Sequence, residues 1–169
     1  KSYDQLCNGC PYNQGKHLKG THFFSSSHTP LKLESNNSPT LLVFQSPGEE
    51  EWKHGIAIYP STKIGDKRET YTKLLGQSGK TRQDFDITNV IQCFPGKDSN
   101  GRDAKPNIAA VCICKERLKN TVENGNYSKI ITFGSFAKEV VNSFSFNITV
   151  LNSKHPSGGV SNNDLDNLW

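Results

Sequence analysis

Leu41-Leu42-Val43-Phe44-Gln45-Ser46-Pro47-Gly48-Glu49-Glu50-Glu51 is the stretch that decides the fold. Leu41 to Gln45 is a short apolar run ended by Ser46-Pro47-Gly48, so it reads as a buried strand followed by a turn. The acidic run Glu49 to Glu51 stands where a helix can begin, favourable against the positive end of the helix dipole. Similar units follow downstream. Asp86 to Cys93 is β-branched and buried in character, a second strand. Lys129-Ile130-Ile131-Thr132-Phe133 is a third, closed by Gly134, after which Ser135 caps a helix carrying Phe136, Val140 and Val141. Ile148 to Leu151 is the fourth.

Between the second and third strands a helix is expected from about Asn107 to Glu123, with Ile108, Val111, Leu118 and Val122 as its apolar face. Another is expected from about Lys67 to Gln77 on Tyr71, Leu74 and Leu75, stopped by Gly79. Residues 53–66 read as irregular and 94–106 as a polar loop. Strands alternating with helices build a parallel α/β sheet. Ligands of such sheets bind beyond the carboxyl ends of the strands, where Gln45, Asn89 and His155 all fall.

The cysteines are the second signal. Cys7-x2-Cys10 near the start and the distant Cys93 and Cys114 are the arrangement by which a tetrahedral metal centre is gripped from two parts of a fold. Thiolates are soft ligands, which narrows the candidates to zinc or an iron–sulfur cluster. Five cysteines are an odd number in a chain of 169 residues, too long to need a disulfide scaffold, so reduced thiols are the expectation. Cys112 competes with Cys114 for the fourth place. The two stand two apart on a helix and cannot face one centre equally.

Composition bounds the rest. The chain is long enough to bury ~70% of its unfolded surface in one domain. Residues 1–39, polar and rich in Ser, His and Asn after the Cys pair, form its N-terminal cluster-binding and loop segment. The net charge of +4 permits a nucleic-acid partner without demanding one. No run approaches the ~18 apolar residues of a membrane span, and no signal-peptide core is present. The chain opens on Lys1 rather than Met, as a trimmed or processed chain does. A soluble cytoplasmic monomer is expected, with no membrane partner.

With these blocks in order, the chain resembles the uracil-DNA glycosylase superfamily, specifically its iron–sulfur branch, family four and its relatives. That branch opens with Cys-x2-Cys. Its Gly-Glu-x-Pro-Gly motif with following acidic residues is matched by Phe44-Gln45-Ser46-Pro47-Gly48-Glu49-Glu50-Glu51. Its Gly…Arg…Asp…Ile-Thr-Asn-Val…Cys block is matched by Gly79, Arg82, Asp84 and Ile87-Thr88-Asn89-Val90-Ile91-Gln92-Cys93. Cys114 and Leu118 match a Cys four residues before a Leu. Gly134-Ser135-Phe136-Ala137 matches Gly-x-x-Ala, and His155-Pro156-Ser157 the closing His-Pro-Ser. The resemblance implies a three-layer α/β sandwich around a mostly parallel four-stranded sheet. It also implies a four-iron–four-sulfur cluster on Cys7, Cys10, Cys93 and Cys114, zinc being the alternative, and DNA as the partner. The activity it implies is base excision after base flipping.

Two departures bear on the substrate. Gln45 stands where the branch carries a catalytic Glu, and Ile58, in Gly55-Ile56-Ala57-Ile58, stands where a Phe stacks on uracil. The pocket is therefore expected to be wider and neutral, unless Phe44 or Tyr59 restores the aromatic. His155 can donate a hydrogen bond to the base oxygen as the glycosidic bond breaks and charge develops there; the alternative is a surface-loop histidine. Asn89 offers donor and acceptor to a base edge, or else stabilises its own turn. Gln45 can orient water or contact the base beside Ser46, but an amide accepts no proton usefully. A carboxylate must then come from Glu49, Glu50, Glu51 or Asp86, although at least two of the three glutamates read as a solvated helix start. The turn at Pro47 and Gly48, and Ser157 with its glycines, suit close approach to DNA phosphate. The expected activity is excision of an altered or hypermodified pyrimidine, for repair or for antiviral defence against modified phage DNA. Ordinary uracil excision and a non-catalytic module that binds DNA or a damaged base are the alternatives.

Overall fold

The computed structural model describes residues 7–12, 30–60, 70–76 and 78–169. Four parallel strands form one sheet in the order β2-β1-β3-β4, with helices flanking it: β1 Thr40–Phe44, β2 Asp86–Asn89, β3 Lys129–Phe133 and β4 Thr149–Ser153. The expected α/β class and parallel sheet are both present. β1 and β3 lie inside the sheet, and Leu41, Leu42, Ile130, Ile131 and Phe133 are fully buried. Two-sided burial is why these strands read as continuous apolar runs rather than alternating ones. The outer edge of β2 is covered by the chain before β1. There Glu34 and Ile87 exchange backbone hydrogen bonds of 2.9 and 3.0 Å, which shields an edge that would otherwise offer unpaired donors and acceptors.

Among the described residues four α-helices follow from the same local rules. α1 (Glu49–His54) begins at Gly48, where the side chain of Glu51 accepts the Gly48 N–H at 2.9 Å. α2 (Ile108–Asn124) is capped by Asn107, whose side chain accepts from Ala109 N at 2.9 Å. α3 (Ser135–Ser143) and α4 (Asn162–Asp166) complete the set. Among the described residues no helix is long and apolar enough to cross a membrane.

Four expectations need correction. Ile108 is 81% exposed, because the buried face of α2 runs through Ala110, Cys114, Leu118 and Val122, and a residue two before Ala110 points away from it. Ser135 is the first residue of α3, not its cap. The cap position is Gly134 at φ +91°, a left-handed conformation that a side chain there would strain. The second strand ends at Asn89 rather than Cys93, since the chain bends beyond it while Val90 and Ile91 N–H still reach Phe44 O and Gln45 O. Where a helix was expected near 67–77, the described residues 70–76 are helical and bury Leu74 and Leu75, but Thr72–Gly76 is wound as a π-helix rather than an α-helix. Residues 61–69 and 77 lie outside the described residues.

Candidate active site

The carboxyl ends of β1 and β4 open into a cavity of about 220 Å³ lined by Phe44, Gln45, Ser46, Glu51, Ile58, Thr70, Asp103 and His155. Five residues expected at the site meet here: Phe44, Gln45, Ser46, Ile58 and His155. Phe44 stacks on Phe133 at 4.8 Å between centroids, and His155 meets it edge-on at 6.0 Å and 71°. One face of the Phe44 ring is thus committed to the core. Tyr59 stacks instead on His54, at 3.8 Å, and is not part of the lining.

His155 follows β4 and caps the short turn Pro156–Gly158. Its Nδ1 accepts the Ser157 N–H at 3.3 Å and lies 2.7 Å from Ser157 Oγ. A backbone amide can only donate, so in the neutral ring the proton resides on Nε2. Burial lowers the His155 pKa and so favours that neutral form. The ring is therefore a fixed donor through Nε2.

Glu51 turns away from its acidic neighbours. Lys53 pairs with Glu49 at 3.0 Å and with Glu50 at 3.4 Å, Glu50 exposed and Glu49 half-buried at the helix start. The Glu51 carboxylate instead accepts the N–H groups of Gly48 and Ile58 and lines the cavity. Burial raises its pKa, nearby Asp103 adds to that, and the two amides oppose it. The sequence carries a signal for this: Glu51 is three residues after Gly48, the spacing of a capping box, which turns the third helical residue back toward the helix start. Asp103 has no comparable signal. It sits in the polar loop, paired with Lys97 at 2.5 Å. The expectation of a neutral pocket is therefore corrected: two carboxylates line it.

Ile58 is 3% exposed and lies at φ +52°, a region that β-branched residues rarely occupy and that costs on the order of 1–3 kcal/mol. Such residues persist only where surrounding contacts over-determine them. Asn89, Pro47, Gly48 and Ser157 are outside the lining. Asn89 is 3% exposed, registers beside Phe44, and its carbonyl accepts from Arg117 Nη2 at 2.6 Å. Pro47 is buried, and the Gly48 amide is already held by Glu51.

A larger hollow, about 610 Å³, opens at the amino end of the sheet around Asp86, Asn120 and Tyr127. Asp86 is 3% exposed there and accepts from Asn36 N (2.7 Å), Ser38 N (3.1 Å) and Tyr127 Oη (2.7 Å). It stands at the opposite end of β2 from the cavity, which removes it from the candidates for activating water.

All five cysteines lie among the described residues, and none of them is joined in a disulfide. Cys10, Cys93 and Cys114 are buried, Cys7 is half-buried and Cys112 is exposed. The Cys93 thiol is pushed up by burial and then by the charges of Cys114, Cys10 and Cys7, so the four share one neighbourhood. Among the described residues no group of three or more His, Cys, Asp or Glu is already arranged to hold a metal ion. The donor chemistry nonetheless suits one, because buried thiolates that repel each other need a cation to coexist. Tyr12 Oη accepts Asn107 N at 2.7 Å, tying this segment to the start of α2.

Comparison with known proteins agrees with the motif order. The family model described as the uracil DNA glycosylase superfamily matches residues 31–169. The type-4 uracil-DNA glycosylase of Thermotoga maritima is 32% identical over 108 residues, 63% of this chain and 46% of that protein. The chain thus spans about half the length of that curated relative. The parallel sheet, the polar groups gathered at its carboxyl end and a family match running from residue 31 to the last together mean that this chain belongs to the uracil-DNA glycosylase superfamily.

Proposed function

We propose that this chain is a DNA glycosylase that acts as a monomer, flips a nucleotide into the cavity at the carboxyl end of the sheet, and hydrolyses its N-glycosidic bond. The observation that carries the reading is a neutral histidine and a desolvated carboxylate lining one cavity. In the reaction the bond between sugar and base breaks toward the base. His155 Nε2–H donates to the base oxygen where negative charge gathers, and the sugar becomes oxocarbenium-like. Glu51 takes a proton from water as its hydroxyl adds to the sugar carbon, which is the step that Gln45 cannot perform. Gln45 and Ser46 orient the base or the water. Ser157, exposed beside His155, approaches the DNA backbone, while Asn89, buried beside Phe44, supports the wall of the cavity instead of meeting the base. A carboxylate in the cavity favours this enzymatic reading over a non-catalytic binding module.

The substrate we assign is an altered pyrimidine. Ile58 puts an aliphatic wall where the resembling branch has a stacking ring, and Glu51 and Asp103 can accept from hydroxyl-rich substituents. Excision of such bases serves repair, or defence against phage DNA that carries them. The test is single-turnover excision on a panel of DNA containing uracil, hypoxanthine and hypermodified cytosine. Higher activity on the modified base than on uracil is expected. Robust uracil excision with no activity on any modified base would return the chain to ordinary uracil repair, and no excision at all would favour the binding module.

We further assign Cys7, Cys10, Cys93 and Cys114 to a four-iron–four-sulfur cluster that ties the N-terminal segment to α2 and the loop after β2, with zinc as the alternative. Anaerobically prepared protein should carry about four iron atoms per chain. Cys93→Ser should lose iron and soluble yield together. One zinc and no iron would reassign the site.

A further inference from the structure

We infer that Arg82, anchored by Glu34, is a positioning residue that pins Ile58 as one wall of the cavity and thereby sets how large a base the pocket accepts. The size consequence rests on the glycosylase reading; the pinning does not. Ile58 is buried against the cavity with its backbone at φ +52°. Three polar backbone groups at and beside it are gripped. Its N–H is held by Glu51, its carbonyl accepts from Arg82 Nη1 at 3.0 Å, and the Ala57 carbonyl accepts from Arg82 Nη2 at 2.6 Å.

The guanidinium is fixed in turn. Its Nε donates to Glu34 Oε1 at 3.0 Å, and Nη2 pairs with the other carboxylate oxygen. Glu34 is itself bonded through its backbone to Ile87 of β2. An unbroken line of directed bonds thus runs from the sheet edge through Glu34 and Arg82 to a conformation that Ile58 would not keep unaided. The planar fork of an arginine can hold two carbonyls and a carboxylate at once, which a lysine ammonium cannot do with the same geometry.

The alternative is an ion pair that merely closes a surface loop. The experiment compares wild type, Arg82→Lys, Arg82→Met and Glu34→Gln. Each is bound to duplexes carrying a 2′-fluoro nucleotide, which resists cleavage, with either uracil or 5-hydroxymethyluracil as its base. Amide exchange at Ile58 is followed in the free proteins. In Arg82→Met the uracil-to-hydroxymethyluracil affinity ratio should move about tenfold, with less change in Arg82→Lys. Ile58 exchange should accelerate about tenfold while Leu42 in β1 is unmoved. Should Arg82→Met fail to fold, Arg82→Lys and Glu34→Gln are held to the same two readouts in the same direction. A folded variant in which either the ratio or the exchange stays at the wild-type value overturns the proposal. If both move but the wild type excises neither base from the corresponding cleavable duplexes, the pinning stands and the hydrolytic reading falls.

Discussion

The two ends of the sheet each hold a carboxylate of the same general kind, and they use it differently. At the amino end Asp86 is enclosed by two backbone amides and the Tyr127 hydroxyl, in a hollow of about 610 Å³. At the carboxyl end Glu51 is held by two amides in a cavity of about 220 Å³, with its pKa raised by burial and with His155 and Gln45 in the same lining. The larger space is the less chemical one. Tyr127 Oη donates to Asp86, so that carboxylate is spent on joining β2 to the start of β3 and to the chain before β1. Glu51 keeps lone pairs beyond the two amide bonds, in surroundings that disfavour its charge, which is how a general base is poised. Volume does not locate the site; the unspent chemistry does.

The sharpest way to break this contrast is to remove the donor. His155→Ala should slow excision by roughly 10²–10³-fold, the usual worth of one donor to a developing oxyanion. DNA binding should barely change, because phosphate contacts carry most of that affinity. A rate within about twofold of wild type would move the chemistry out of this cavity.

A smaller effect sharpens the role of Glu51. Its burial-raised pKa means that the base is lost by protonation at a pH above that of an ordinary glutamate. Excision should therefore fall as pH drops through that value, approaching about tenfold per pH unit on the acid side, as expected for one essential deprotonated group. In Glu51→Gln the acid limb should vanish along with most of the rate. An unchanged acid limb in that variant would assign the titration to another group.

Most of the scaffold was legible because it follows from local rules. β1 and β3 are apolar runs between turn residues, and Asn107 announces the start of α2 as a side chain that can cap it. What escaped was set by tertiary context. Nothing local says that the inward face of α2 passes through Ala110 and Cys114 rather than Ile108. The cap of α3 lies in the positive φ of Gly134, which a sequence shows only as a glycine. At the site, Gln45 and His155 were found because strand ends in a parallel sheet converge. Glu51 was hidden in a run of three glutamates, distinguishable only by its capping-box spacing, and Asp103 reaches the cavity by the path of an irregular loop. Asn89 lies at the expected strand end, yet its neighbours in the register bury it.

The most direct measurement sets the two carboxylates side by side: single-turnover excision, per folded molecule, by Glu51→Gln and Asp86→Asn. Glu51→Gln should lose at least about 100-fold in rate, within the range for a general base, while staying folded and bound to DNA. Asp86→Asn should lose on the order of 1–3 kcal/mol of stability, since its buried donors are left poorly paired, and keep its rate within about twofold once unfolded protein is discounted. Equal losses of rate in the two variants, or a larger loss in Asp86→Asn, would contradict the account.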